Sequence, residues 1–582
     1  MKKANNDYLE NLNPEQRAAV TQAAAHRAVV AGPGTGKTQT LIARIVYLIR
    51  KLHTNPSSIM VVTFTRKAAA QLKSKLKQYL SPDEYPGYIG TFHALAFSIL
   101  QNHYGKMLTV ITPEEQAELV PSKQMRERIS AYKNNILAAD SELKQIVNQY
   151  NTKLLSKHRV DYDDLLLMLQ DALITHSKKQ PRITHVLIDE FQDTNGLQYD
   201  IIRNLGAQEY FVIGDPKQSI YSFRGALPEI FERFTHDFPQ TKVFSLSRNY
   251  RSGSRILSVA QSLFPDSAPL ISVVAHEAMA QCITVSDEYT EASCIVRTII
   301  ENTGGVDLHS SSRNNTSKQE SFSDCAVIYR THAFARTLES VFIQSGIPYQ
   351  VIGGESLYES PLVRFITNCL RALVSPESTI LPLPSSLANR LPLPQECVAI
   401  IQDNKESGLA DKPVTNVFNT LVDQFELERR FSKQKTWLSY LQQCISTIVQ
   451  FDSSKQSVQS YLDYIDYLED HEFYDPHNNA VTLMTIHAAK GLEFSHVFIC
   501  GMEEGSIPSH TKGADGDEER RLLYVAITRA KQAVYLLKAR QRQGKNRLPS
   551  PLLSELSSEH LEYAEDKVSI RKVARKNQLK MF

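Results

Sequence analysis

The sequence predicts an α/β protein, and three observations carry that prediction. The apolar run Ala28-Val-Val-Ala31 leads directly into Gly32-Pro-Gly-Thr-Gly-Lys-Thr38. Beyond this loop Leu41, Ile45, Leu48 and Ile49 recur at the three-to-four spacing of an amphipathic helix. A second apolar run, Val186-Leu-Ile188, ends in the acid pair Asp189-Glu190.

Strand, glycine loop and helix in that order is the setting a phosphate-binding loop needs. Glycines let backbone N–H groups turn inward onto an anion, and the helix N-terminus adds its partial positive charge. Lys37 is placed to reach the β- and γ-phosphates of a bound nucleotide, and Thr38 to hold Mg²⁺. The first position of the loop pattern is Ala31 rather than glycine, a place that needs only a small side chain. Two adjacent acids at the end of an apolar strand are costly unless a cation sits there. Asp189 is therefore expected to bind Mg²⁺ through water, and Glu190 to orient or deprotonate an attacking water. Taken alone, the acid pair also reads as a strand cap. The phosphate loop earlier in the chain favours the catalytic reading.

A chain of 582 residues is long enough for three or four domain-sized units. Its 42% hydrophobic and 22% charged content is that of an ordinary globular protein. No apolar run reaches the ~18 residues of a membrane span. The start, Met1-Lys-Lys-Ala-Asn-Asn-Asp, lacks the apolar stretch of a signal peptide, so the expected compartment is the cytoplasm. The cysteines (Cys282, Cys294, Cys325, Cys369, Cys397, Cys444 and Cys500) never fall at C-x-x-C spacing, which argues for buried thiols rather than a zinc or iron–sulfur site. A net charge of +2 says nothing about nucleic acid, but Arg540, Arg542, Lys545, Arg547, Lys567, Arg571, Lys572, Arg575, Lys576 and Lys580 make the C-terminal end basic. That end reads equally as a solvated tail or as a contact for a DNA backbone.

Further ordered motifs surround the two nucleotide elements. They are Asn13-Pro-Glu-Gln16, Thr63-Phe-Thr-Arg-Lys-Ala-Ala69, Gly90-Thr-Phe-His93 and Asp189-Glu-Phe-Gln-Asp-Thr-Asn-Gly-Leu-Gln198. After these come Gly214-Asp-Pro-Lys-Gln-Ser-Ile-Tyr-Ser-Phe-Arg-Gly-Ala226 and Leu246-Ser-Arg-Asn-Tyr-Arg-Ser252. Thr485-Ile-His-Ala-Ala-Lys-Gly-Leu-Glu-Phe494 and Glu518-Glu-Arg-Arg-Leu-Leu-Tyr-Val-Ala-Ile-Thr-Arg-Ala-Lys531 complete the set. From about residue 12 to 537 this series resembles the superfamily 1 helicases of the UvrD/Rep/PcrA type.

The resemblance implies two RecA-like P-loop NTPase cores with mostly helical insert subdomains. Core 1A would span 1–110 and 160–245, insert 1B 111–159, core 2A 246–360 and 477–550, and insert 2B 361–476. A basic C-terminal tail would occupy 551–582. ATP would lie along Ala31, Gly32, Pro33, Gly34, Thr35, Gly36, Lys37 and Thr38. Gln16 would read the adenine edge, Tyr250 would stack on the base, and Glu493 would touch the ribose. Gln218 would sense the γ-phosphate, and Arg251 and Arg529 would act on it as arginine fingers. Single-stranded DNA would run over Phe64, Thr65, His93, Tyr221, Phe223, Arg224 and His487, because aromatic steps tolerate any base. The implied activity is ATP-dependent 3′→5′ translocation and unwinding by a monomer, at single-strand and junction DNA. The alternative is a DNA-stimulated ATPase that strips proteins or regulates a partner without efficient unwinding alone.

Several departures accompany the match. Phe223 stands where the family often has tryptophan, and Gln39 where arginine often follows the loop threonine. Both inserts are reduced, and the family's Gly-Ile-Gly turn is missing from 361–476, where Gly408 is the sole glycine. The proline-rich stretch Leu381–Pro394 excludes a regular helix. The polar stretch Asn302–Ser323 reads as a loop. Asp161-Tyr-Asp-Asp-Leu-Leu166 resembles the segment by which the chain re-enters core 1A. The chain end, Gln578-Leu-Lys-Met-Phe582, resembles the peptide by which bacterial DNA enzymes bind the sliding clamp. Gln578 would bond at the pocket rim, and Leu579, Met581 and Phe582 would anchor.

Overall fold

The computed structural model describes residues 8–104, 109–111, 113–134, 136–138, 140–156, 159–175, 183–303, 320–352, 361–374, 391–392, 394–432, 478–509 and 516–566, with scattered positions between 438 and 462. The chain divides into a larger unit, residues 1–348 and 489–582, and a smaller one, residues 349–488.

The larger unit holds two parallel sheets. The first runs Tyr88–Gly90, Ile59–Val62, His185–Ile188, Glu209–Gly214, His26–Ala31, Thr241–Leu246 from edge to edge, every pair parallel. Strands covered by helices on both faces read as unbroken apolar runs. Ile59–Val62 is buried at every position, and so are Val186, Leu187 and Ile188. Helix Lys37–Arg50 buries the predicted Leu41, Ile45, Leu48 and Ile49, together with Ile42 and Val46. In the second sheet Cys325–Tyr329 pairs with Phe494–Ile499, then follow Ala530–Ala539, Met279–Val285 and Glu562–Glu565, again all parallel. These are the two RecA-like cores of a mixed α/β protein.

Helices Pro113–Leu119, Lys123–Lys133 and Ser141–Ser156 form a small satellite around Ile129, Leu143, Val147, Tyr150 and Leu154. Lys133 ties it to the first core. The ammonium lies 2.8 Å from Asp161 and 2.6 Å from Asp164, in the expected re-entry segment.

The smaller unit has a parallel pair, Tyr349–Ile352 with Val481–Thr485. Its helices Pro361–Val374, Pro394–Glu406 and Val414–Gln424 enclose an apolar centre that includes Ile366, Leu370, Phe418 and Phe425. Most of the proline-rich stretch lies outside the described residues, and Pro394 opens a helix, a position where its missing N–H costs nothing.

The basic C-terminal end differs from its expected form as a tail. Residues 551–566 are folded, because Leu552, Leu553, Leu556 and Leu561 are buried and Glu562–Glu565 adds an edge strand. Arg542 is buried against Glu291 (2.9 Å) and Glu503 (2.8 Å), so it is not left for a DNA backbone, while Arg540 pairs with Glu565 at the surface. Lys567, Arg571, Lys572, Arg575, Lys576 and Lys580 lie outside the described residues, as does Gln578–Phe582. So do positions 304–319 of the expected loop, while Phe322–Asp324 forms a 3₁₀ turn. All seven cysteines are free and buried. Among the described residues no helix is long and apolar enough to cross a membrane.

Candidate nucleotide and DNA site

The phosphate loop follows strand His26–Ala31 and ends in the first turn of helix Lys37–Arg50. Gly34 and Gly36 have φ of 67° and 84°, the left-handed region where a side chain is strained. A Cβ on Gly34 would also meet Arg251 Cβ and Asn249 Nδ2 at 2.7 Å. Asn249 explains this tight fit, since its amide donates to the Pro33 carbonyl at 2.6 Å and Tyr250 N donates to the Gly34 carbonyl. The Lys37 ammonium lies inside the loop, 3.2 Å from the Ala31 carbonyl and 3.4 Å from that of Gly32. Thr35 closes the turn onto Gly32 at 2.8 Å.

Asp189 and Glu190 follow the central strand His185–Ile188. Burial, then repulsion by Glu190, pushes the Asp189 carboxyl up to about 7 against the pull of Lys37. Burial acts on Glu190 too, but Lys37, Lys490, the Gln192 amide and Arg529 outweigh it and hold this carboxyl below its usual value. Glu190 adopts φ 47°, a strained conformation costing on the order of 1 kcal/mol. Gln192 fixes it, donating to Glu190 Oε2 at 2.6 Å while its own Oε1 accepts from Asp215 N at 3.0 Å. That bond needs Gly214, where a Cβ would stand 2.1 Å from Gln192 Oε1.

The second core faces these groups from the starts of its strands rather than their ends. Glu493 precedes Phe494–Ile499 and Arg529 precedes Ala530–Ala539. The buried Arg529 guanidinium approaches Gln218 Oε1 at 3.4 Å, and Gln218 is also bonded to Asp215 at 2.7 Å. Burial and the nearby Arg251 lower Arg529 to about 9, which still leaves it charged at neutral pH. Arg251 and Glu493 form an ion pair of 2.7 Å, and Lys531 reaches the other Glu493 oxygen at 2.9 Å. Gln16 is buried, donates to the Thr35 carbonyl at 2.9 Å, and also serves the capping box of its helix with Asn13. Tyr250 is 48% exposed and accepts from Asn13 at 2.8 Å, which brings it beside the helix that carries Gln16.

The aromatic residues fall into separate groups. Phe64 stacks on Tyr221 at 5.2 Å, Tyr221 lies 5.9 Å from Phe223, and the Arg224 guanidinium covers both Tyr221 and Phe223 at 5.5 Å. Phe223 is 61% exposed. Thr65 instead caps helix Arg66–Leu76, accepting from Ala68 N at 3.1 Å. His93 lies edge-on to Tyr162 at 5.9 Å, and burial lowers its pKa, favouring a neutral ring. His487 follows strand Val481–Thr485 in the smaller unit.

Sequence reasoning assigned no role to Asn249, Gln192, Asp193 or Lys490. All four lie inside the quoted motifs, but Asn249, Asp193 and Lys490 have partners distant in sequence, and Gln192 joins Glu190 to Asp215 of a separate motif, so position alone gave no signal. Lys490 bonds Asp193 across 297 positions, at 2.7 and 2.6 Å.

Comparison with known proteins gives the family. The family described as UvrD/REP helicase N-terminal domain matches residues 12–109 and 105–239, and the UvrD-like helicase C-terminal domain matches 244–472 and 420–541. Similar proteins include DNA helicase II of Escherichia coli (strain K12), 28% identical over 95% of this chain and 88% of that protein. ATP-dependent DNA helicase Rep of Buchnera aphidicola subsp. Baizongia pistaciae is 29% identical over 96% of each chain. ATP-dependent DNA helicase UvrD1 of Mycobacterium leprae is 29% identical over 91% of this chain and 83% of that protein. With both halves matched and the two cores facing one phosphate loop, the chain belongs to the UvrD/REP helicase family.

Proposed function

We propose that the chain is an ATP-driven DNA helicase that moves 3′→5′ along single-stranded DNA. The observation that carries this reading is the approach of Arg529, from the second core, to Gln218 of the first, beside Glu190 and Lys37. Residues from two bodies then act on one nucleotide, so its hydrolysis changes how the bodies meet.

Each site residue takes a role in this cycle. Ala31 to Thr38 cradle the phosphates, with Lys37 on the β- and γ-oxygens. Gln16, Tyr250 and Glu493 hold the base and ribose. Glu190 takes the proton of the attacking water, a step that suits a carboxyl held ionised. Gln218 reads the γ-phosphate, and Arg251 and Arg529 stabilise the charge that spreads over it. Burial beside a second carboxylate leaves Asp189 short of positive charge, and oxygen donors suit a hard cation, so Thr38 and Asp189 would hold Mg²⁺. Bound there, Mg²⁺ would supply charge to the phosphate oxygens.

Phe64, Tyr221 and Phe223 form the base-stacking steps, with Thr65, His93, Arg224 and His487 completing the path. The polarity and the DNA path rest on the family resemblance. Gln578, Leu579, Met581 and Phe582 are proposed as a sliding-clamp peptide, tested by calorimetry with purified clamp before and after deletion of 578–582. Equal binding by both proteins, or binding by neither, removes that partner.

Partial duplexes with one 3′ or one 5′ single-stranded tail test the function. Strand displacement from the 3′-tailed substrate with ATP and Mg²⁺ is expected. Displacement from the 5′-tailed substrate alone reverses the polarity. DNA-stimulated ATP turnover without displacement of either strand points to a protein-stripping or regulatory ATPase.

A further inference from the structure

Three side chains of the second core converge on one stretch of the first, the loop that follows strand Glu209–Gly214. Lys490 Nζ donates to both oxygens of Asp193, donates to the Gln218 carbonyl at 2.8 Å, and lies 4.9 Å from the centre of the Tyr221 ring. Arg521 Nε donates to the Ser219 carbonyl at 2.8 Å. Glu518 accepts from the Ser222 hydroxyl. The gripped positions alternate with functional ones. Gln218 faces the nucleotide side, bonded to Asp215 and close to Arg529. Tyr221 and Phe223, a few residues later, are the stacking steps beside Phe64.

The loop is short and internally bonded. Residues 216–218 and 222–224 form 3₁₀ turns, and Ser219 Oγ donates to the Gln192 carbonyl at 3.1 Å. Gln192 in turn holds Glu190. The Lys490 and Asp193 side chains are 8% and 1% exposed. Partners buried this deeply lose much when separated, so they move together. An ammonium satisfied by two carboxylate oxygens and a carbonyl also fixes its own position in three directions.

We infer that Lys490, Arg521 and Glu518 are positioning residues of a clamp through which the second core moves the Gln218–Phe223 loop, linking the nucleotide state to the grip on DNA. This rests on the function proposed above. It adds which side chains carry the link.

Linkage measures it directly. The affinity of the full chain for a fluorescent single-stranded oligonucleotide is measured by anisotropy with and without a non-hydrolysable ATP analogue. The ratio of the two affinities is the coupling, and the unaltered chain is expected to show a ratio well away from one. Lys490→Met, Arg521→Met and Glu518→Ala are each expected to reduce that ratio at least about fivefold, with affinity for the analogue alone within about twofold. The double variant Lys490→Met/Asp193→Asn removes the unpaired carboxylate and is expected to stay uncoupled. Glu518→Ala removes a partly exposed side chain, so it keeps the test open should the buried variants not fold. Coupling retained in folded variants, or restored in the double variant, overturns the clamp. An unaltered chain that binds DNA equally with and without analogue also overturns it. A chain that binds no oligonucleotide overturns the functional reading itself.

Discussion

Arg251 Nε stands 2.7 Å from Glu493 Oε2, so the cation expected at the γ-phosphate is held by the carboxylate expected at the ribose. Burial alone would raise the Glu493 carboxyl, but Arg251 and Lys531 hold it below its usual value. In the proposed roles, both side chains exchange partners when ATP binds. Arg251→Ala is therefore expected to lower DNA-stimulated kcat by about 10³-fold, the scale of an arginine finger. Affinity for an ATP analogue, measured by fluorescence titration, should change far less. Turnover within tenfold of the unaltered chain would remove Arg251 from the transition state.

Glu190→Gln is expected to lower ATP hydrolysis by about 10²–10⁴-fold, the usual contribution of a general base, while ATP binding persists. Lys37→Ala should abolish hydrolysis as well, and weaken nucleotide binding. Filter binding alongside turnover separates the two. Unaltered turnover in Glu190→Gln would sink that assignment.

Gly214→Ala tests the support behind Glu190. The added methyl cannot share space with Gln192 Oε1 at 2.1 Å, so the amide that fixes Glu190 must move. The expected result is a fall in kcat of about tenfold or more with KM for ATP little changed, since misplacement near an angstrom is enough for such a loss. A normal kcat would show that Gln192 does not orient the carboxylate.

Phe223→Ala should reduce movement per ATP more than ATP affinity, because the exposed ring lies with Tyr221 and Arg224 in the proposed stacking steps. The ring is largely exposed, so stability should change by no more than about 0.5 kcal/mol. Melting curves and nucleotide titration are the controls. An equal loss of nucleotide affinity would count against a DNA role.

Acid should weaken the first core through His26. Burial lowers its pKa, and Nδ1 accepts from Tyr210 N at 3.3 Å, which a protonated nitrogen cannot do. A depressed folded pKa gives stability that is complete above about 6.5, the unfolded value, and is lost as pH falls towards the folded value. The melting temperature should drop from pH 7.5 to 5.5, and His26→Gln should shallow that drop. An unchanged slope would place the acid sensitivity elsewhere.

The phosphate loop and the acid pair were legible in the sequence because local geometry dictates them. A loop that turns N–H groups onto phosphate needs Gly34 and Gly36 at positive φ, and the strand and helix flanking it announce themselves by apolar spacing. Side-chain contacts between segments far apart in the sequence were not legible. Asn249 on Pro33, Lys490 on Asp193 and Arg251 on Glu493 join residues hundreds of positions apart, and no periodicity encodes such meetings. The C-terminal end misled for a related reason. Its arginines looked like a basic surface, but Arg542 is consumed by the carboxylates of Glu291 and Glu503, which only the fold brings to it.

Directed movement is the central claim, and arrival time at a labelled DNA end measures it most directly. Single-stranded oligonucleotides of increasing length carry a fluorophore at one end, and ATP with Mg²⁺ starts a single round of movement in a stopped-flow instrument. With the label at the 5′ end, the delay before the signal should lengthen in proportion to the DNA, and it should vanish in Glu190→Gln. A delay independent of length for labels at both ends, in a protein that still hydrolyses ATP, would contradict translocation.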